Sequence, residues 1–180
     1  MASSVAVIGA GIAGAAAARV LTESGHTVRV FDKGRAPGGR TSTRWYEGGR
    51  QFDHGCPMFT ARSPAFVQAV ERWVQQGVAV RVAPTPGTVD SPDSSVYPGT
   101  PGMGAIAAHL VRGLSVRCGV GPGGGEVWRI SRDGARYRLF DKLGAAFEPG
   151  FDAVVIATPA PQAATLLAFK PSLAERMRKV

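Results

Sequence analysis

The feature that most constrains this chain is Gly9-Ala10-Gly11-Ile12-Ala13-Gly14, set between a short apolar run and an alanine-rich segment. Ser4 to Ile8 is apolar, β-branched and halted by Gly9, the pattern of a parallel strand buried on both faces. Ile12 to Ser24 is rich in alanine and ends at Gly25, which reads as a helix with a C-terminal stop. Thr27 to Phe31 is a second strand, ending at Asp32. These segments make a βαβ unit in about thirty residues, for which a right-handed crossover is expected. Three glycines in GxGxxG spacing are a weak signal alone, and the register gives them force. Gly9 permits a tight turn, Gly11 lets a pyrophosphate approach the backbone, and Gly14 lets helix and strand pack closely. The anion would sit at the helix N-terminus. Ala18, Gly25 and Asp32 continue the pattern. A carboxylate at that strand end accepts hydrogen bonds from an adenosine ribose and disfavours a 2′-phosphate. The motif selects an adenine dinucleotide and leaves FAD and NAD open.

Composition narrows the class. A chain of 180 residues suits one domain, or one domain and part of another. Cys56 and Cys118 are too few for a disulfide scaffold or a four-cysteine zinc site, and no metal site is expected. The net charge of +8 could point to nucleic acid, but the basic residues run from Arg19 to Lys179 without clustering. No binding motif or aromatic-basic stripe accompanies them, so no nucleic-acid partner is expected. Val5 to Ala18 is uncharged, yet nothing basic precedes it and it is too short to span a bilayer. A cytoplasmic protein without a membrane segment is the expectation; the oligomeric state stays open.

Downstream, Lys33 to Gln51 reads as a long functional loop. Ser63 and Pro64 are an N-cap and first helical residue, and Phe66, Val70, Trp73 and Val74 follow at helical spacing up to Gly77. Val78 to Val82 is expected as a strand, Pro84 to Ser95 as a loop, and Thr100-Pro101 as the start of a helix carrying Ile106, Leu110 and Val111 on one face. Leu114–Cys118, Glu126–Ser131, Tyr137–Phe140 and Ala153–Ala157 read as strands, Gly121–Gly125 as a flexible turn, and Pro161–Leu167 as a short helix. The tail from Lys170 to Val180 shows no strand, cap or closing turn.

Gly38-Gly39-Arg40 follows closely on Asp32, and a guanidinium is a bidentate donor suited to a diphosphate. With this segment the chain resembles the glutathione-reductase-type FAD flavoproteins, in the branch that holds amine oxidases and renalase-like proteins. Phe52-Asp53-His54-Gly55 with Phe59-Thr60-Ala61-Arg62 is similar to that branch's FDHG…FTAR stretch beside the flavin. Tyr97-Pro98-Gly99-Thr100-Pro101-Gly102-Met103 resembles its PGM helix start, and Val154 to Ala163 resembles the strand and turn that return to the dinucleotide domain. Nearly the whole chain is covered. It departs from the pattern at Cys56-Pro57-Met58, where Ala-Gln-Tyr is usual, at Gly104 in place of Asn, and in the Gly121–Gly125 stretch.

The resemblance implies an α/β fold: a Rossmann-like FAD/NAD(P)-binding three-layer domain with a β-meander, plus the start of a substrate-side domain. Residues 1–52 and 96–169 would form the FAD-binding part, 53–95 would begin the substrate side, and 170–180 would be an unfinished tail. It implies FAD as cofactor, with a hydride passed from a small-molecule substrate, a reduced nicotinamide or an amine, to the flavin and then to oxygen. Cofactor contacts expected from fingerprint and resemblance together are Gly9, Ala10, Gly11, Ile12, Ala13, Gly14, Asp32, Lys33, Gly39, Arg40, Thr41, Gly55, Cys56, Val127, Ala157, Thr158 and Pro159. Val127 is preferred over Val120 at the adenine because Val127 and Ile130 keep the strand spacing. Of the histidines, His54 has the best claim to the site, through its motif; no catalytic base is assigned. Members of that branch run longer than this chain. A dinucleotide-binding module without catalysis of its own, or an NAD(P)-dependent dehydrogenase, are the alternatives.

Overall fold

A computed structural model describes residues 1–83 and 95–179. Its centre is the expected unit: β1 (Ser4–Ile8), α1 (Ile12–Glu23) and β2 (Thr27–Asp32). β1 and β2 pair in parallel with Val5 beside Val28 and Ile8 beside Phe31. Two later strands complete a four-stranded sheet, β7 (Ser115–Cys118) beyond β2 and β11 (Ala153–Ile156) on the other side of β1. All its pairings are parallel, and β1 is interior, as its unbroken apolar run requires.

Two layers cover this sheet. Val5, Val7, Val28 and Val30 point toward α1, where Ala18 lets the helix lie close to the strands. Ala15 packs on Ala107 and Val111, joining α1 to α3 (Gly104–Leu110). α1 ends in a Schellman turn: Gly25 at φ +85° donates to Thr22, and the His26 amide reaches Leu21. On the opposite face lies the antiparallel meander β8 (Arg129–Asp133), β9 (Arg136–Phe140) and β10 (Ala146–Phe151). Ala6, Ile8 and Phe31 meet Ile130, Leu139, Phe147 and Phe151 there. The Phe31 ring lies 5.0 Å from that of Phe147 and 5.8 Å, edge-on, from that of Phe151. The fold class read from the sequence, a Rossmann-like α/β sandwich with a meander, is the architecture observed.

The remaining elements are small. β5 (Phe59–Thr60) pairs with β6 (Val96–Tyr97), and α2 (Pro64–Gln75) packs Phe66 and Trp73 against Phe59. Ser63 caps α2 by accepting from the Phe66 amide at 3.3 Å.

Several local expectations change. Lys33–Gln51 is not one loop; it holds a 3-10 turn at Gly39–Thr41 and a hairpin of β3 (Thr43–Trp45) with β4 (Gln51–Asp53). Val78–Val82 makes only isolated bridges, Ala79 to Gly99 and Val82 to Val96, because Pro98 between those partners has no amide to donate. The Pro84–Ser95 loop falls, except for Ser95, outside the described residues. The helix expected from Thr100-Pro101 begins at Gly104, and the amide of its N-cap residue Met103 donates to the Asp53 carboxylate at 3.0 Å. The strand placed at Glu126 starts at Arg129. The tail is not featureless: Pro171 opens α5 (Pro171–Arg178), packed on α4 (Ala160–Leu166), with Ala174 buried. Among the described residues no helix is long and apolar enough to cross a membrane, and no group of three His, Cys, Asp or Glu could hold a metal ion.

Candidate functional site

A cleft of about 980 Å³ opens over the C-terminal ends of β1, β2 and β11, at the upper end of the range for small-molecule sites. A smaller cavity, against β2 and β7, is about 280 Å³. The large cleft begins at the fingerprint. Gly9 turns at φ +105°, and a Cβ there would stand 2.9 Å from the Ala157 carbonyl oxygen, so both conformation and crowding demand glycine. A Cβ on Gly14 would overlap the Gly9 carbonyl. Gly11 is different. Its φ is −69°, and a Cβ would come no nearer than 3.9 Å to anything, the Gly38 oxygen and Gly39 Cα being closest. The protein itself has room for a side chain there.

α1 presents its N-terminus to the cleft. The first helical bond runs from the Ala15 amide to Gly11, so the amides of Ile12, Ala13 and Gly14 precede the hydrogen-bonded ladder. No side chain caps this end, and no acidic residue occupies its first turn. Positive potential is left where an anion would sit.

Asp32 ties the loop to β2. Its Oδ2 accepts from the Ala10 amide at 2.5 Å and its Oδ1 from the Gly34 amide at 2.6 Å. The Gly38–Thr41 segment lies directly on the fingerprint: Gly38 donates to the Ala10 carbonyl at 2.9 Å and bridges to Gly11. Arg40 and Thr41 line the cleft, and among the described residues no carboxylate pairs with the exposed Arg40 guanidinium. Behind this wall, Asp53 Oδ1 accepts from Thr43 Oγ1 at 2.5 Å as well as from Met103, and the Gly104 amide donates to Thr43 Oγ1 at 3.1 Å. The hairpin is thereby fixed to the start of α3.

Most residues singled out from the sequence converge here. Gly9, Gly11, Ile12, Ala13, Asp32, Lys33, Gly39, Arg40, Thr41, Cys56, Val127, Ala157, Thr158 and Pro159 line the cleft. Ala10, Gly14 and Gly55 do not. Ala10 is fully buried and acts through its amide on Asp32, and Gly14 is filled by the Gly9 carbonyl. Gly55 sits behind Arg40, whose carbonyl a Cβ there would strike and whose oxygen accepts from the Cys56 amide at 3.0 Å. Val127 borders the cleft, while Val120 is 68% exposed and does not.

The Gly121–Gly125 stretch is pinned rather than loose. Gly119 donates to the Asp32 and Gly34 carbonyls at 3.0 and 2.7 Å, and Gly125 returns to Gly119 at 2.8 Å. A Cβ on Gly125 would overlap the Arg117 carbonyl. This connection brings Glu126 and Trp128 to the cleft, and α4 adds Gln162 and Thr165. Sequence reasoning passed over all four because no motif marks them; the signal available was the PxPQ turn ahead of Gln162.

The histidines stand elsewhere. His54 is exposed and absent from the lining, so its motif does not carry it into the cleft. His26 Nδ1 accepts from the Ser3 amide at 3.2 Å. His109, on α3, is pushed below the usual histidine range by burial and by Arg112 and Arg19, and among the described residues its buried Nδ1 has no hydrogen-bond partner. Cys118, at the end of β7 beside Asp32, has its thiol pushed up by burial and by that carboxylate. Cys56 Sγ donates to the Met58 carbonyl at 2.9 Å.

Comparison with known proteins agrees with this geometry. Residues 7–73 match the family described as the NAD(P)-binding Rossmann-like domain. The crystal structure of a CLA-producing fatty acid isomerase from P. acnes superposes with a TM-score of 0.67 at 14% identity, covering 98% of this chain and 64% of its own. That of a provisionally assigned protoporphyrinogen oxidase from Exiguobacterium sp. 255-15 gives 0.67 at 16% identity, covering 96% and 63%. These likenesses establish the fold. The chain spans just under two thirds of the length of either structure.

Proposed function

We propose that this chain is the dinucleotide-holding part of an FAD-dependent oxidoreductase of the amine-oxidase or renalase-like kind. The observation that carries the reading is the contrast at Gly11. Gly9 and Gly14 are glycine because the protein's own backbone crowds them, whereas Gly11 has open space above its Cα. Its lack of a side chain is explained by an occupant that approaches the backbone there, beside free amides of α1. A second observation agrees: Thr158 Oγ1, in the cleft wall, is buried without a hydrogen-bond partner among the described residues, and a polar ligand would supply one.

The donor set fits such a cofactor. The α1 amides and Arg40 would hold the diphosphate, and Asp32 retains lone pairs for a ribose hydroxyl beyond its two backbone bonds. A flavin held here would supply hydride chemistry toward a reduced substrate, here proposed as a reduced nicotinamide or an amine, with oxygen as the final electron acceptor. The chain's part is to bind and orient. Residues 53–95 would begin the substrate side. The similar structures are named for a fatty acid and for protoporphyrinogen, so substrate choice within this fold would lie outside the shared sheet. The match of residues 7–73 to an NAD(P)-binding domain favours a nicotinamide dinucleotide as the second reading.

Thermal shift with FAD, NAD and NADP decides between them. FAD should raise the melting temperature and produce a yellow protein. Gly11→Ala should melt within about 1 kcal/mol of the parent yet lose the FAD shift, because the added methyl fills ligand space rather than protein space. A Gly11→Ala variant that still binds FAD like the parent refutes the reading, and a shift by NAD alone replaces it with the second.

A further inference from the structure

Gly38–Ser42 and Cys56 line the cleft beside the fingerprint. The Asp32–Gly34 turn is bonded to Gly119, and the connection leads on through Glu126 and Val127 to Trp128, all three in the lining. Phe31 and Trp128 are the aromatic residues in the lining, and they differ in kind. Phe31 is 1% exposed, its ring spent on Phe147 and Phe151. Trp128 is 45% exposed, and among the described residues its indole has no aromatic partner. Lys142 Nζ lies over one face of the ring, 5.1 Å from its centre.

We infer that Trp128 is the stacking platform for the purine base of the bound dinucleotide, the base lying on the indole face away from Lys142. This rests on the dinucleotide reading above. Asp32 marks where the adenosine ribose would be held, and the backbone bonds from Gly119 to Asp32 and Gly34 tie the Trp128 connection to that residue. Stacking buries the apolar faces of both rings and is tolerant of base identity, since every base has a π face. Trp128 therefore governs affinity for the adenosine half, and the fingerprint glycines govern the diphosphate.

The test uses the full chain with ADP and FAD, followed by tryptophan fluorescence and melting temperature. ADP should quench the parent's emission. Trp128→Leu and Trp128→Ala should weaken ADP binding about tenfold or more. Trp128→Phe should rescue affinity to within about threefold while losing most of the quench. Lys142→Ala should stay within about threefold. If Trp128→Ala melts without a folded baseline, Trp128→Leu carries the measurement. A Trp128→Leu variant that binds ADP like the parent overturns this inference alone. A parent that responds to neither ADP nor FAD overturns the proposed function with it.

Discussion

Two glycine-rich connections meet at Asp32, and they carry very different amounts of sequence information. Gly9–Gly14 has a fingerprint spacing, and each glycine's role follows from its place in that spacing. The second has no such spacing, and its Gly121–Gly125 stretch reads as a flexible turn; yet Gly119 is bonded to Asp32 and Gly34, and Gly124 and Gly125 are as tightly crowded as Gly14, while Gly119, Gly121 and Gly123 stand open. A Cβ on Gly14 would overlap the Gly9 carbonyl, and one on Gly125 the Arg117 carbonyl. Glycine content therefore does not measure slackness. What distinguishes a pinned glycine is a carbonyl close over its Cα, that of Gly9 for Gly14 and that of Arg117 for Gly125.

A methyl group added to each loop should have the largest effect. Gly14→Ala and Gly125→Ala should each cost about 3 kcal/mol in denaturant unfolding, the gain in helix propensity at Gly14 being outweighed by overlap with backbone. If Gly125→Ala unfolds like the parent, the second loop is slack after all and the likeness fails. Gly11→Ala, near neutral for folding, is the internal control.

A smaller effect is expected where the loops join. Asp32→Asn should cost about 2 kcal/mol, because both carboxylate oxygens accept from backbone amides and an amide side chain would turn a donor toward one of them. Limited proteolysis should then cut near Gly119–Gly125 before Gly9–Gly14, since the second loop depends on the turn that Asp32 organises through Gly34. Equal cutting at both would show that Asp32 serves the fingerprint alone.

The smallest effect lies away from both loops and sets the baseline. Burial, Arg112 and Arg19 hold His109 below its ordinary value. The unfolded chain therefore binds this proton more tightly. The stability linked to neutral His109 is complete above the unfolded value of about 6.5 and is lost as pH falls from there through the lower folded value. Urea melts at descending pH should show this loss in the parent and a flatter profile in His109→Gln. Parallel profiles would mean that His109 does not sense its surroundings.

Legibility from the sequence followed the range of the interaction. β1, α1, β2 and the Ser63-Pro64 helix start were readable because their causes, apolar period, alanine content and capping, lie within a few residues. The Val78–Val82 strand failed because its pairing depends on Pro98, sixteen or more residues away in the chain. The helix after Pro101 begins only at Gly104, and the carboxylate that meets its N-cap amide comes from β4, a partner that local sequence does not mark. Of the site, the fingerprint residues and Asp32 were visible in spacing, whereas Trp128, Gln162 and Thr165 reach the cleft only through folding of the meander and α4 onto it.

By itself, then, the sequence determined the βαβ unit, the class of fold and the glycine pattern of the cleft floor, since local sterics and hydrophobic period decide those. Which glycine leaves room for a guest, which valine borders the cleft and which aromatic ring stands open in it were decided by tertiary contacts. Each depends on a backbone carbonyl or side chain that arrives from a distant segment, and nothing in the local order of residues specifies that meeting.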